Sequence, residues 1–218
     1  MSKEEVVAKT AEFIKNKFAN DSTGHDWWHM YRVWQLAKHI AAGEKGADML
    51  VVELAVLLHD IADHKLHGGD TEPGAIAARR WLQSLKVDKQ TTDHVENIVR
   101  HVSFKSADTQ NELDTLEGQV VHDADKLDAM GAIGIARVFS FGGANGRLIY
   151  DPDQPPLENY NYELAKLKNT SAVHHFYEKL LILKDRMYTK TGKQMAKHRH
   201  KFMEDYLEEF YAEWDGKL

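Results

Sequence analysis

Apolar residues recur at three- and four-residue intervals along almost the whole chain, and nowhere do they alternate with polar ones long enough to make a strand. That pattern confines the chain to helices packed on helices. Residues 3–18 place Val6, Val7, Ile14 and Phe18 on one side, and residues 28–42 carry a wide stripe of Tyr31, Val33, Trp34, Leu36, Ala37 and Ile40. Residues 48–63 are apolar almost all round, which puts that helix at the core. Further helices are predicted from Pro73 to about Leu85, from Asp88 through His101, over 116–126 and over about 127–140. Two more are predicted over 161–185 and 189–214. Between them, residues 141–160 read FGGANGRLIYDPDQPPLENY and hold three of the four prolines, so they are expected to form a long functional loop or lid. The fold class is all-α, in one domain spanning residues 1–218.

Composition excludes several chemistries. There is no cysteine, hence no disulfide framework, zinc–thiolate site, iron–sulfur cluster or thiol nucleophile. A net charge of −6 argues against a nucleic-acid polymer as partner. The longest apolar stretch, Met49 to Leu58, contains Glu53 and is too short to span a bilayer. No basic segment followed by an apolar one opens the chain, so a cytoplasmic protein is expected. Thirteen histidines are the feature left to explain.

Their positions matter more than their number. The core helix runs LAVLLHDIADHK, so His59 and Asp60 follow directly on a strongly apolar run. Burying an imidazole beside a carboxylate is costly unless they are paired or bind a metal. His29 opens the apolar helix HMYRVWQLAKHI, and Asp125 lies in VVHDADKLDAMGAIGIA. Each alone reads equally well as a capping acid, a core histidine or a helix end turning polar. Together they offer two imidazoles and two carboxylates from three apolar helices. Such a donor set leaves about two positions open on a six-coordinate ion and suits Mn, Fe, Co, Ni or Mg better than structural zinc. Open positions are where water can be activated and a phosphoryl oxygen polarised.

The segments GHDWWHMYRVWQLA, LLHDIAD and HDADKLDAMGAIGIAR, in that order, resemble the HD superfamily of metal-dependent phosphohydrolases. The likeness covers roughly residues 20–150 and is nearest to the small single-domain bacterial members of the YedJ/YpgQ type. It implies a helical bundle with additional C-terminal helices over 161–218. It also implies His29, His59, Asp60 and Asp125 as ligands of one divalent ion, with Mn preferred and Mg, Fe, Co or Ni as alternatives. The implied reaction is hydrolysis of a small nucleotide phosphate, such as a nucleoside triphosphate cut to monophosphate and pyrophosphate.

Neighbouring residues acquire roles on that pattern. Asp63, about one turn after Asp60, is the candidate general base; a solvated acid at a helix end is the plainer reading. His64 is a candidate to protonate the leaving group or hold phosphate. His25, His101, Lys126 and Arg147 are candidates to bind phosphate oxygens, with His25 alternatively bonding a ligand. Arg32 is expected to hold a carboxylate in place. Trp27 and Trp28 either stack on a base or, more commonly, pack in the core. Trp81, Phe202, Tyr206, Phe210 and Trp214 either pack inside or form the face of a homodimer. Two other readings stand beside this one. One is a binuclear enzyme of the same superfamily, a cyclic-nucleotide phosphodiesterase or di-iron oxygenase with His64, His101 or His122 as added ligands. The other is a non-catalytic regulatory domain, which usually lacks ligands that are all present here.

Overall fold

The structure is a computed structural model that describes residues 1–19, 26–62, 72–102, 113–157 and 170–218. Among them there is no strand, as the periodicity requires. The chain groups into two compact units, one of Met1–Lys105 with Thr109–Asp125 and the other of Ser106–Asp108 with Lys126–Leu218.

In the first unit, α1 (Lys3–Lys17) starts with a capping box: the Ser2 hydroxyl accepts from Glu5 N–H, and the Glu5 carboxylate accepts from Ser2 N–H. α2 (Trp27–Gly43) starts at Asp26, whose carboxylate accepts the His29 N–H at 2.8 Å. α3 (Met49–Leu58) is the core helix, with Val51, Val52, Leu54, Ala55, Val56, Leu57 and Leu58 buried. It packs against α1, α2 and α5 (Lys89–His101), and α5 packs on α4 (Glu72–Ser84). Each large apolar side chain buried on α3 contributes about 1.5–3 kcal/mol over leaving it in water. α6 (Leu116–Asp128), which belongs to this unit as far as Asp125, is tied to the start of α3 by Glu117, which accepts the Asp48 N–H at 2.7 Å. Trp81 packs inside: it stacks on Phe13 at 3.9 Å and donates its indole N–H to Thr10.

α3 is shorter than the 48–63 expected, and the cause lies in its last turn. His59 caps the helix, and its Nδ1 is 2.7 Å from the Val56 carbonyl oxygen, one of those a helix end leaves without an N–H partner. The side chain takes over that carbonyl, and Asp60 follows in a turn outside the helix.

The second unit is built on α7 (Gly131–Ala144) and α8 (Lys190–Trp214), which pack on each other, and its buried residues include Phe176, Leu180, Leu183, Met203 and Leu207. The helix expected over 161–185 is not continuous. Residues 161–169 lie outside the described part, and beyond them come a π-helical turn, Phe176–Leu180, and a 3-10 turn, Leu181–Arg186. The wider turn accompanies a buried carboxylate, Glu178, which accepts from Leu157 N–H and the Thr170 hydroxyl, both at 3.1 Å. The loop expected from residue 141 begins later, because α7 continues to Ala144; residues 145–157 are irregular and 158–160 lie outside the described part.

Tyr150 in this loop is ringed by His174, Phe210, Tyr211 and Trp214 at 5.1–6.0 Å between centroids. Beside it Tyr177, Tyr211 and the Pro152–Pro156 segment enclose a cleft of about 430 Å³. Tyr206 and Phe210 are packed within this unit, whereas Phe202 and Trp214 remain about half exposed. None of the described helices is long and apolar enough to cross a membrane.

The turn from α6 into α7 depends on two glycines. Gly131 has φ +69°, where a side chain is strained, and a Cβ there would stand 3.1 Å from the Arg199 side chain. At Gly134 a Cβ would collide with the Ala129 carbonyl. The D-A-M-G-A-I-G sequence thus needs glycine at both positions to join the two helices.

Candidate metal centre

Four side chains converge in the first unit. His29 is buried in the first turn of α2, where the Asp26 cap orders the backbone around it. His59 is buried at the end of α3, Asp60 is next to it, and Asp125 is on α6. The ligating atoms of His29, His59 and Asp125 all lie within 4.8 Å of one another. His29 Nε2 is 3.7 Å from Asp60 Oδ2 and 3.8 Å from Asp125 Oδ1. His59 Nε2 is 3.4 Å and 3.8 Å from the same two oxygens.

The protonation of His59 follows from its other nitrogen. A carbonyl can only accept, so in the neutral ring the Val56 contact places the proton on Nδ1 and leaves a lone pair on Nε2. That Nε2 is buried and has no hydrogen-bond partner. A lone pair aimed at carboxylate oxygens is repulsive unless a cation lies between them. Metal–donor bonds of about 2.1 Å put adjacent donors on one ion about 3 Å apart and opposite donors about 4.2 Å apart. The observed separations of 3.4–3.8 Å fall in that interval. Two carboxylates balance a divalent charge, and the all-N/O donor set suits a borderline or hard ion. The residues fit a single divalent metal.

Of the remaining candidates, Asp63, His64 and His25 lie outside the described residues. His101 is at the end of α5 with Nδ1 2.8 Å from the Asn97 carbonyl, which places its proton as in His59. Lys126 is only 4% exposed, one residue after Asp125 on α6. Arg147 is half-buried in the second unit, its guanidinium 5.7 Å from the Phe141 ring centroid. Arg32 is half-buried one turn after His29, on the same helix. Trp28 is 61% exposed, so core packing does not account for it, and its ring meets Tyr31 edge-on at 6.0 Å.

His122, named above as an added ligand of a binuclear site, is buried beside Asp123 on α6, with Nδ1 3.2 Å from Oδ1. Asp123, Asp128 and Arg199 went unnoticed in the sequence. Asp128, buried at the end of the same helix, accepts from Arg137 at 2.7 Å. The second acid of D-K-L-D was a usable signal for Asp128. Arg199, which bonds the Leu127 carbonyl from α8, carried none.

An all-helical fold that gathers two imidazoles and two carboxylates at a helix junction defines a metal-dependent hydrolase of the HD type. The chain belongs to the HD superfamily of hydrolases: residues 27–130 match the HD domain family. Bacillus subtilis YpgQ is 37% identical over 94% of this chain and 91% of its own length. The structure of YpgQ in complex with ADP aligns with a TM-score of 0.73, at 35% identity over 95% of this chain and 97% of that one. An HD-superfamily hydrolase from Bacillus thuringiensis aligns with a TM-score of 0.77, at 40% identity over 98% and 99% of the two chains. A protein from Lactobacillus plantarum aligns with a TM-score of 0.82, at 34% identity over 99% and 100%.

Proposed function

We propose that this hydrolase cleaves nucleotide phosphates, converting a nucleoside triphosphate to the monophosphate and pyrophosphate at one divalent ion, manganese by preference. The observation that carries the reading is the convergence of His29 and His59 Nε2 with the carboxylates of Asp60 and Asp125. The ADP found with YpgQ supports a nucleotide as the ligand.

His29, His59, Asp60 and Asp125 would hold the ion. When bound, it supplies Lewis acidity and makes water a stronger acid. Asp63 takes the proton from the attacking water, and His64 protonates the departing pyrophosphate. Lys126, the residue after Asp125, and His25 offset charge on the phosphate oxygens. His101 can join them only when doubly protonated, because its Nδ1–H is engaged with Asn97.

That same geometry favours a second reading. A His101 Nε2 lone pair suits a second metal ion, and so a binuclear enzyme, better than it suits phosphate. Metal content separates the two readings: two ions per chain would replace the mononuclear mechanism.

The test is a product screen on metal-stripped protein with a nucleotide panel and Mn, Mg, Co, Ni or no metal. Metal-dependent pyrophosphate release from triphosphates is expected. Orthophosphate from monophosphates would make the enzyme a nucleotidase, and silence with every metal would overturn the reading.

A further inference from the structure

The last turn of α6 carries Asp125 and ends at Asp128, and a helix end left to itself frays because its final carbonyls lack N–H partners. Here three of those carbonyls are engaged. Lys126 C=O accepts from Ala129 N–H at 3.2 Å, and Leu127 C=O accepts from Met130 N–H at 3.0 Å. Arg137 reaches both the Asp128 carboxylate, at 2.7 Å, and its carbonyl. Arg199, 72 residues further along the chain on α8, donates a second bond to the Leu127 carbonyl.

Arg199 is costly to keep where it is. Burial pushes its guanidinium below the usual range, against a partly offsetting attraction from Asp128. Its stem stands 3.1–3.2 Å from where a Cβ on Gly131 would be, so the left-handed glycine leaves the arginine room. An apolar side chain would fill that space more cheaply if packing were its only task.

We infer that Arg199 is a positioning residue that holds the final turn of α6 in register and so keeps the Asp125 carboxylate in place for the metal. The inference rests on Asp125 being a ligand. Asp125 Oδ1 stands 3.8 Å from both Nε2 atoms, and a shift of about 1 Å on fraying would spoil its place in a coordination shell. Partners outside the ligand shell typically contribute about 10–100-fold in metal affinity.

The experiment is titration of metal-stripped, full-length protein with Mn²⁺, followed by calorimetry or by loss of the free-ion paramagnetic signal. The proteins are wild type, Arg199→Met, Arg199→Lys and Asp125→Asn, each also melted without metal. Arg199→Met keeps the stem and loses the donors, and it should bind Mn²⁺ about tenfold more weakly. Arg199→Lys restores a donor and should come within about threefold of wild type, as partial rescue on the same scale. If Arg199→Met does not fold, Arg199→Gln, too short to reach Leu127, takes its place with the same expectation. Wild-type affinity in the Met or Gln variant, even with a lower metal-free melting temperature, shows a purely structural cap and overturns the inference. So does a Lys variant as weak as Met. Failure of the wild type to bind, or undiminished binding by Asp125→Asn, instead overturns the ligand assignment beneath it.

Discussion

His59 Nδ1 donates to the Val56 carbonyl oxygen at 2.7 Å, and that one bond both ends the core helix and commits Nε2 to accept. Together with the orphaned state of Nε2, it makes His59 the donor whose chemistry is most narrowly determined. His59→Ala should therefore lower metal affinity at least about a hundredfold, beyond the 10–100-fold seen for outer partners. Equilibrium binding of Mn²⁺ checks this, and a variant that still binds within tenfold would remove His59 from the site.

Metal should also stabilise the fold, because the site is assembled from α2, α3 and α6 and does not exist in the unfolded chain. At a free metal concentration a hundred times its dissociation constant, the gain is about 2.7 kcal/mol. For a chain of 218 residues that corresponds to a rise of about 5–10 °C in melting temperature. Differential scanning calorimetry with and without Mn²⁺ measures it, and Asp60→Asn should lose most of the rise.

The α6–α7 turn should be intolerant of side chains. Gly131→Ala forces a left-handed backbone on alanine and crowds Arg199, and should cost about 1–2 kcal/mol or more. Gly134→Ala drives a Cβ into the Ala129 carbonyl and should cost at least as much. By contrast Gly143, with open space around its Cβ position, should accept alanine in α7 without loss. Urea denaturation of the three variants ranks them.

Acid should weaken the second unit in two steps. Burial is the main cause holding the His175 imidazole below its ordinary 6.5, so on acidification the unfolded chain takes up this proton first. Stability then falls with pH from about 7 down to the depressed native value. Glu178 adds the second step. Burial alone would raise its carboxyl, but the His175 ring 3.8 Å away and bonds from Leu157 N–H and the Thr170 hydroxyl outweigh burial and hold it below 4.5. Its contribution is complete above the unfolded value of about 4.3 and disappears as pH falls through the native one. Melting temperatures at pH 7.5 and 5.5 test the first step: His175→Gln should show a smaller drop than wild type. An equal drop would place the pH sensitivity elsewhere.

Much of the fold could be read from the residues. Helix starts at Ser2, Asp26, Asp48 and Asp88 follow from local capping, which needs only nearby atoms. The misjudged stretches are those where a distant or side-chain partner intervenes. The 48–63 helix stops early because the His59 ring displaces the next backbone bond. The 161–185 region departs from α-helix around Glu178, whose partners Leu157 and Thr170 lie 21 and 8 residues back along the chain.

The sequence alone determined the all-helical class, the order His29, His59-Asp60, Asp125, and the absence of thiol chemistry, because periodicity and donor type belong to residues taken singly or a turn apart. Only the tertiary structure decided that His29, His59 and Asp125 bring ligand atoms within 4.8 Å of one another with Asp60 beside both imidazoles, and that Arg199 closes the end of α6. Those are contacts between segments far apart in the chain, unlike the local Val56 bond that turns His59 Nε2 outward. Their geometry is set by core packing, for which no local pattern of residues carries a signal.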